Sequence, residues 1–402
     1  MNAQHISDAL DGLDHELLDE ANALRSSSKQ RSGWLKWAGA AACLALAVGV
    51  GIALFTGSRP PDTAGLPRLP LSEEVIHPGG MGYEGYLAHD ISELISGSPW
   101  KESDRLTTLP VYRNSMVYNT AGIPQSEVDL EAMQARALEV AQRLGLDAEI
   151  QDNAPSEEEV AAVREKLGEI PAGYFDPVEV TAQGDGVRID VDAALTVTIW
   201  FEPARELPQG YSFGYHASYE DMEQVSGYLL EQYRALLDMD DPQIRVVDGD
   251  YTYSGAQMYG IIAYDGAGDK TQRLLSYSFG QARFSCDDEG RLWIIRLDGR
   301  DLSQKVGDYP VITPRQAQKL LAEGRYITNV PYELPGTQYV RSVELCYLTG
   351  QREEYFMPYY RFLVELPQEE RENGLRNYEA YYVPAVEESC LTGLPVWDGS
   401  FN

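Results

Sequence analysis

The chain has 402 residues and a formal charge of −31, from 63 acidic against 32 basic side chains. A surface of that sign repels nucleic acid and anionic headgroups, so nucleic acid is not expected among its partners. The length leaves room for two ordinary domains, and four cysteines without a C-x-x-C exclude a zinc ribbon or a thioredoxin-like motif.

Residues 5–25 place Ile6, Leu10, Leu13, Leu17, Ala21 and Leu24 on one stripe of a helix whose opposite face is acidic. A lone helix of this length is marginal in water, so the face formed by Leu10, Leu13 and Leu17 predicts a docking partner or a fold-back. A basic flank follows, with Arg25, Lys29, Arg31 and Lys36. From Trp34 to Phe55 the chain is apolar, and after Lys36 it runs nineteen residues without a charge, an amide or a hydroxyl. As a helix these residues reach about 33 Å, enough to cross a bilayer. The basic residues precede the span, which predicts residues 1–33 in the cytoplasm, one transmembrane helix over 34–56, and the rest outside the cell membrane. The rival reading, a cleaved signal peptide, fits less well: thirty-three residues precede the span, six of them acidic, and no clear A-x-A site follows.

Residues 57–105 read as a Pro/Gly-rich stalk and docking segment, with a short helix expected over Ala88–Ile95. Residues 106–210 read as a first α+β unit. It opens on a strand at Leu109–Tyr112, then a helix capped by Ser126 with Asp129 at the capping-box position, and a shorter one capped by Ser156. Strands are expected at Val178–Ala182, Val187–Val191 and Leu195–Phe201, with Gly184-Asp185-Gly186 as a turn. Residues 211–402 read as a second α+β unit. A helix starts at Ser218, and strands follow at Ile244–Val247, Met258–Tyr264, Leu274–Phe279, Ala282–Cys286 and Leu292–Leu297. Thr313-Pro314-Arg315-Gln316 is a helix start with Thr as cap, Pro at the first position and Gln at the third. Three strands finish the chain at Val340–Leu348, Phe356–Leu366 and Asn377–Val386. Helices on antiparallel sheets, in two tandem units, make the fold class α+β.

No catalytic motif stands out. His77, His89 and His216 lie outside any G-x-S-x-G or H-E-x-x-H, and no cysteine has a nucleophile's context. His89 and Glu93, four apart, are half a metal site, but a solvated face is favoured. The acidic pairs at Asp238–Asp241, Asp248 and Asp250, and Asp287–Glu289 lack calcium-loop spacing and read as turn residues. No enzyme activity, cofactor or metal is expected. Twenty-six tyrosines suit half-buried strand positions before they suit a binding platform. For Cys286, Cys346 and Cys390 the spacing leaves open one disulfide with a free thiol or three thiols.

The segment from Ile312 through Thr313 and Ala317, then Pro358, Tyr360 and Val364, then Tyr378, Tyr382 and Val386, resembles the PepSY-like units of YycH/YycI-type regulatory proteins. There a helix opened by I-[ST]-x-x-x-A precedes a sheet. The acidic helix, basic stretch and Ala-rich span, with the run from Gly79 to Trp100, resemble a group of single-pass membrane proteins of clostridia-type Firmicutes whose activity is unassigned. These resemblances imply a non-enzymatic sensory or regulatory domain at the cell envelope, speaking to a cytoplasmic or membrane regulatory protein. The alternatives are a module binding wall polymer or peptide and, less favoured, an anti-sigma-like regulator.

Overall fold

Apolar and polar side chains alternate strictly through Val187–Asp192, and the same period continues in Val197–Phe201, so each strand buries one face and leaves the other free. These strands sit in a computed structural model that describes residues 63, 65–71 and 84–397, apart from 120–121, 152–155, 169, 171, 215, 370 and 372. The docking face at Leu10, Leu13 and Leu17 and the span Trp34–Phe55 lie outside the described residues. Among those described, no helix is long and apolar enough to cross a membrane.

The elements in order are β1 (Gly85–Ala88), β2 (Thr108–Arg113), α1 (Leu130–Arg143), β3 (Glu149–Ile150), α2 (Glu157–Leu167), β4 (Glu179–Gly184), β5 (Val187–Asp192) and β6 (Val197–Arg205). Then come α3 (Tyr219–Leu237), β7 (Pro242–Tyr251), β8 (Gln257–Asp265), α4 (Lys270–Phe279), β9 (Ala282–Cys286), β10 (Leu292–Leu297) and β11 (Lys305–Pro310). The chain closes with α5 (Pro314–Ala322), β12 (Val340–Tyr347), β13 (Tyr355–Phe356), β14 (Pro358–Glu365) and β15 (Arg376–Pro384). The fold is α+β. The strands form an eight-stranded sheet, β3-β4-β5-β6-β10-β9-β8-β7, a four-stranded sheet, β1-β15-β14-β12, and a three-stranded sheet, β11-β2-β13. Every pairing within them is antiparallel.

The residues on either side of 210, where two tandem units were expected to meet, share the large sheet, since β6 pairs with β10. Helices α1 and α3 cover one face of it, burying Met133, Val140, Val225 and Leu229 against Ile189, Ile199, Phe284 and Ile295. The four-stranded sheet is buried on both faces. Phe362, Tyr381 and Val383 meet α5 and α4 through Ala317, Leu321 and Phe279, while Tyr359, Leu363 and Tyr382 belong to a third cluster. Leu69, from the expected stalk, is fully buried in that third cluster and bridges to Leu391.

Three local expectations are corrected, and one strand is added. Leu274–Phe279 is not a strand but the end of α4: Asp269 and Gln272 close a capping box, and Leu274 and Phe279 turn to the core. Helix α1 is capped by Asp129, whose side chain accepts from Ala132 N at 2.9 Å, rather than by Ser126. Ala88–Ile95 is the end of β1 and a single 3-10 turn, Ile91–Glu93. Strand β11 had no apolar alternation to announce it; it forms because β2 supplies the ladder. Many of the tyrosines are structural. Tyr309, Tyr347, Tyr360 and Tyr381 are buried and each donates its hydroxyl to a backbone carbonyl, of Pro67, Pro110, Ile312 and Tyr332 respectively.

The 3-10 turn is pressed onto β7 at Gly249, which has a φ of +99°, and a Cβ there would lie 2.3 Å from the Glu93 carbonyl oxygen. Gly249→Ala therefore combines left-handed strain with a backbone clash and should cost about 1–3 kcal/mol, read as a lower urea midpoint at unchanged slope.

Candidate functional site

The centre of the four-stranded sheet carries charge where its pattern calls for apolar side chains. On β14, Tyr359, Arg361 and Leu363 point to one face, and cross-strand pairing sets Arg361 directly between Glu344 of β12 and Tyr382 of β15. Glu84, at the entry to β1, completes the row. Arg361 donates from one Nη to Glu84 Oε1 at 2.9 Å and from the other to Glu344 Oε2 at 2.5 Å. Tyr86 donates to Glu84 Oε1 at 2.6 Å, and the Tyr382 hydroxyl donates to its second oxygen. The Glu84 side chain is 7% exposed, and Glu344 and Arg361 are 15% and 23% exposed. Burial works against the Arg361 charge, but Glu344 and Glu84 outweigh it and hold its pKa well above the ordinary value. Burial pushes the Tyr86 and Tyr382 phenols up, and Glu84 pushes the same way. The Arg361 Nε, buried, has no hydrogen-bond partner.

This row faces the free side of the large sheet across a cleft. Two cavities of about 470 Å³ each share Tyr277, Arg283, Glu344 and Arg361 as lining. The first is completed by Glu84, Tyr86, Gly97, Val247 and Asp248. The second adds Ser278, Gln281, Arg296, Asp298, Arg300 and Cys346. Four arginines and two carboxylates thus line the second cavity, a cationic site in an acidic protein. Arg283 and Arg296 are directly opposed on β9 and β10, an arrangement that costs stability for like charges. Arg296 is held by Asp298 at 3.0 Å. Arg300 donates to Thr196 Oγ1 and to its neighbour Gly299 O, both at 2.7 Å, and burial lowers its pKa against the pull of Asp192 and Asp298. Arg283 makes no hydrogen bond or ion pair among the described residues and is exposed to the cleft.

Asp248 is the counterpart of Arg283 in the first cavity. Regular alternation would send Val247 and Asp248 to opposite faces, yet both line the cavity. A left-handed backbone at Asp248, φ +69°, breaks the alternation, fixed by a bridge to Ile95 on both sides. Its carboxylate has no donor among the described residues. Burial raises its pKa, and Arg283 and Arg361 pull only partly the other way.

Of the residues singled out in the sequence, Glu93 closes the capping box of its turn and accepts from His89 N at 2.8 Å, while the His89 ring lies edge-on to Tyr251. Asp238 caps α3 in a left-handed conformation and Asp287 organises a turn through the Glu289 and Arg291 amides, both as expected of turn residues. Asp248 does more than turn the chain. The three described cysteines are free thiols, and burial pushes that of Cys346 up to about 12. Among the described residues no cluster of three or more His, Cys, Asp or Glu side chains is placed to hold a metal. Sequence reading missed Glu84, Arg283, Glu344 and Arg361. The one available signal was Arg361, a charge inside the apolar run Phe356–Leu366. Comparison with known proteins finds no matching family model and no curated relative.

Two outcomes follow from the site. Arg361→Met leaves Glu84 and Glu344 without their cation and should cost about 3 kcal/mol in chemical denaturation, most of it regained when both glutamates are changed to Gln. Asp248 holds its proton more tightly folded than unfolded, so its share of stability is present at low pH and is lost as pH rises from the ordinary value of 3.8 through its raised folded value. Asp248→Asn should therefore be more stable than the parent at pH 7, with the two melting curves converging at acid pH.

Proposed function

We propose that this is a single-pass membrane protein whose part beyond residue 56 is a non-enzymatic sensory or regulatory module at the cell envelope, with the inter-sheet cleft as its ligand site. The observation that carries this is a pair of accessible charged side chains without hydrogen bonds, Asp248 turned into the cleft by a left-handed backbone and Arg283 set opposite a second arginine. Charge placed at a cost to stability marks binding sites more often than packing. The apolar segment Trp34–Phe55 supports the anchor, and the helix bearing Leu10, Leu13 and Leu17 supports a cytoplasmic or membrane regulatory partner. Helix α5 followed by antiparallel β12, β14 and β15 is the order of elements that the PepSY-like resemblance implies.

A second reading, a module binding wall polymer or peptide through an aromatic surface, draws on one feature. Trp200 and Trp293 meet edge to face at 5.3 Å on the large sheet, and Trp293 is 41% exposed.

Deleting residues 1–33 should change transcription or the activity of a membrane partner while leaving the external part in place. A photoreactive residue at Leu13 should capture that partner. A silent deletion, in cells where the external part still supports a phenotype, would sink the signalling reading. Retention of the chain on wall material at low salt, lost on replacing Trp200 and Trp293 by Ala, would favour the second.

A further inference from the structure

If the cleft is a ligand site, the charges in it define what enters. Asp248 and Arg283 line one cavity, are both accessible from it, and neither side chain is hydrogen-bonded among the described residues. Every other charged side chain lining this cavity is engaged: Arg361 with Glu84 and Glu344. One carboxylate and one guanidinium are thus left over, at different places on the cavity wall. Asp248 is on β7 and Arg283 on β9, with β8 between them. The register through Ile262 sets Arg283 level with Arg245, three residues from Asp248. Two strand spacings and three residues of rise put the two backbones roughly 14 Å apart. Both side chains line the cavity, and that separation is close to the ~7 Å span of an extended dipeptide plus a contact of ~3 Å at each end. Gly260 makes room for the acid: a Cβ there would lie 2.4 Å from Asp248 Oδ2. The walls between the two charges are Ile95, Gly97, Val247, Ile262 and Tyr277, apolar or small and suited to a short aliphatic body.

We infer that the cleft binds a short zwitterionic peptide, its ammonium group on Asp248 and its carboxylate on Arg283. This rests on the reading of the cleft as a ligand site and names the ligand class. Neither charged side chain has a hydrogen bond to give up, so each ligand terminus gains a charge-assisted contact without breaking one. A purely anionic ligand would satisfy Arg283 but would meet Asp248, Glu84 and Glu344 in the same cavity. A purely cationic one would meet Arg283 and Arg361.

The test is calorimetric titration of the full-length chain, in detergent micelles, with alanyl-alanine, its N-acetyl form, its C-terminal amide, and inorganic phosphate. Free dipeptide should bind, and blocking either end should weaken it about tenfold or more. The acetylation penalty should shrink in Asp248→Asn, since Asn keeps the left-handed backbone at little cost. The amidation penalty should shrink in Arg283→Gln. A merely structural role for either residue would lower all affinities alike and leave both penalties intact, which overturns the assignment. Phosphate binding that Arg283→Gln abolishes, without dipeptide binding, overturns the peptide but leaves a ligand cleft. Silence with every probe overturns the peptide and counts against the cleft as well.

Discussion

The charged row Glu84–Arg361–Glu344 is the constraint on which the four-stranded sheet depends. It joins β1, β12 and β14 through one guanidinium, and Tyr382 brings in β15. Desolvating three charges is unfavourable, and pairing at 2.5–2.9 Å offsets that only while all members are present. Such a network adds less to stability than an apolar core would. Its effect is on geometry, because an Arg361 engaged on two sides holds the three strands in a single register. The segment leaving β1 then crosses to β7, where Ile95 pairs with Asp248.

The free face of the large sheet is organised against that row. Its opposite face is closed by α1 and α3 with aliphatic and aromatic side chains, while Arg283 and Arg296 are on the side that the second sheet overlooks. Two arginines opposed across β9 and β10 are tolerable there because Asp298 neutralises one of them and the cavity solvates the other. Left-handed Asp248 is the corresponding exception on β7. Local rules of alternation and charge pairing fail at these positions together, while the surrounding strands obey them.

Much of the fold was legible in the residues. Ser218 opens a helix and Thr313 with Gln316 forms a capping box as expected, and the strands at Val187, Ala282, Leu292 and Val340 begin at the residues expected. The helix Lys270–Phe279 was hidden because Leu-Leu-Ser-Tyr-Ser-Phe carries both periods, and only the cap at Asp269 decides between them. The site was far less legible. Glu84 meets Arg361 across 277 positions of sequence, and Asp248 lies where a turn residue is the natural reading. Which of many acids faces the odd arginine depends on the register of strands brought together from distant parts of the chain, and a linear pattern carries none of that.

The pairing of β1 with β15 has a consequence for how the chain is made. Residues 85–88 find their partners at 376–379, nearly three hundred positions later, and β2 likewise waits for β11 and β13. Such long-range closure is slow. A nascent chain emerging amino end first must hold these early strands unpaired until almost the whole polypeptide has followed. During that interval Leu87, Leu109 and Val111, all buried in the finished fold, stand open to water and to other chains. Synthesis and emergence of this protein thus leave a long window in which a holding factor would matter, and truncation anywhere before β15 would leave that window without an end.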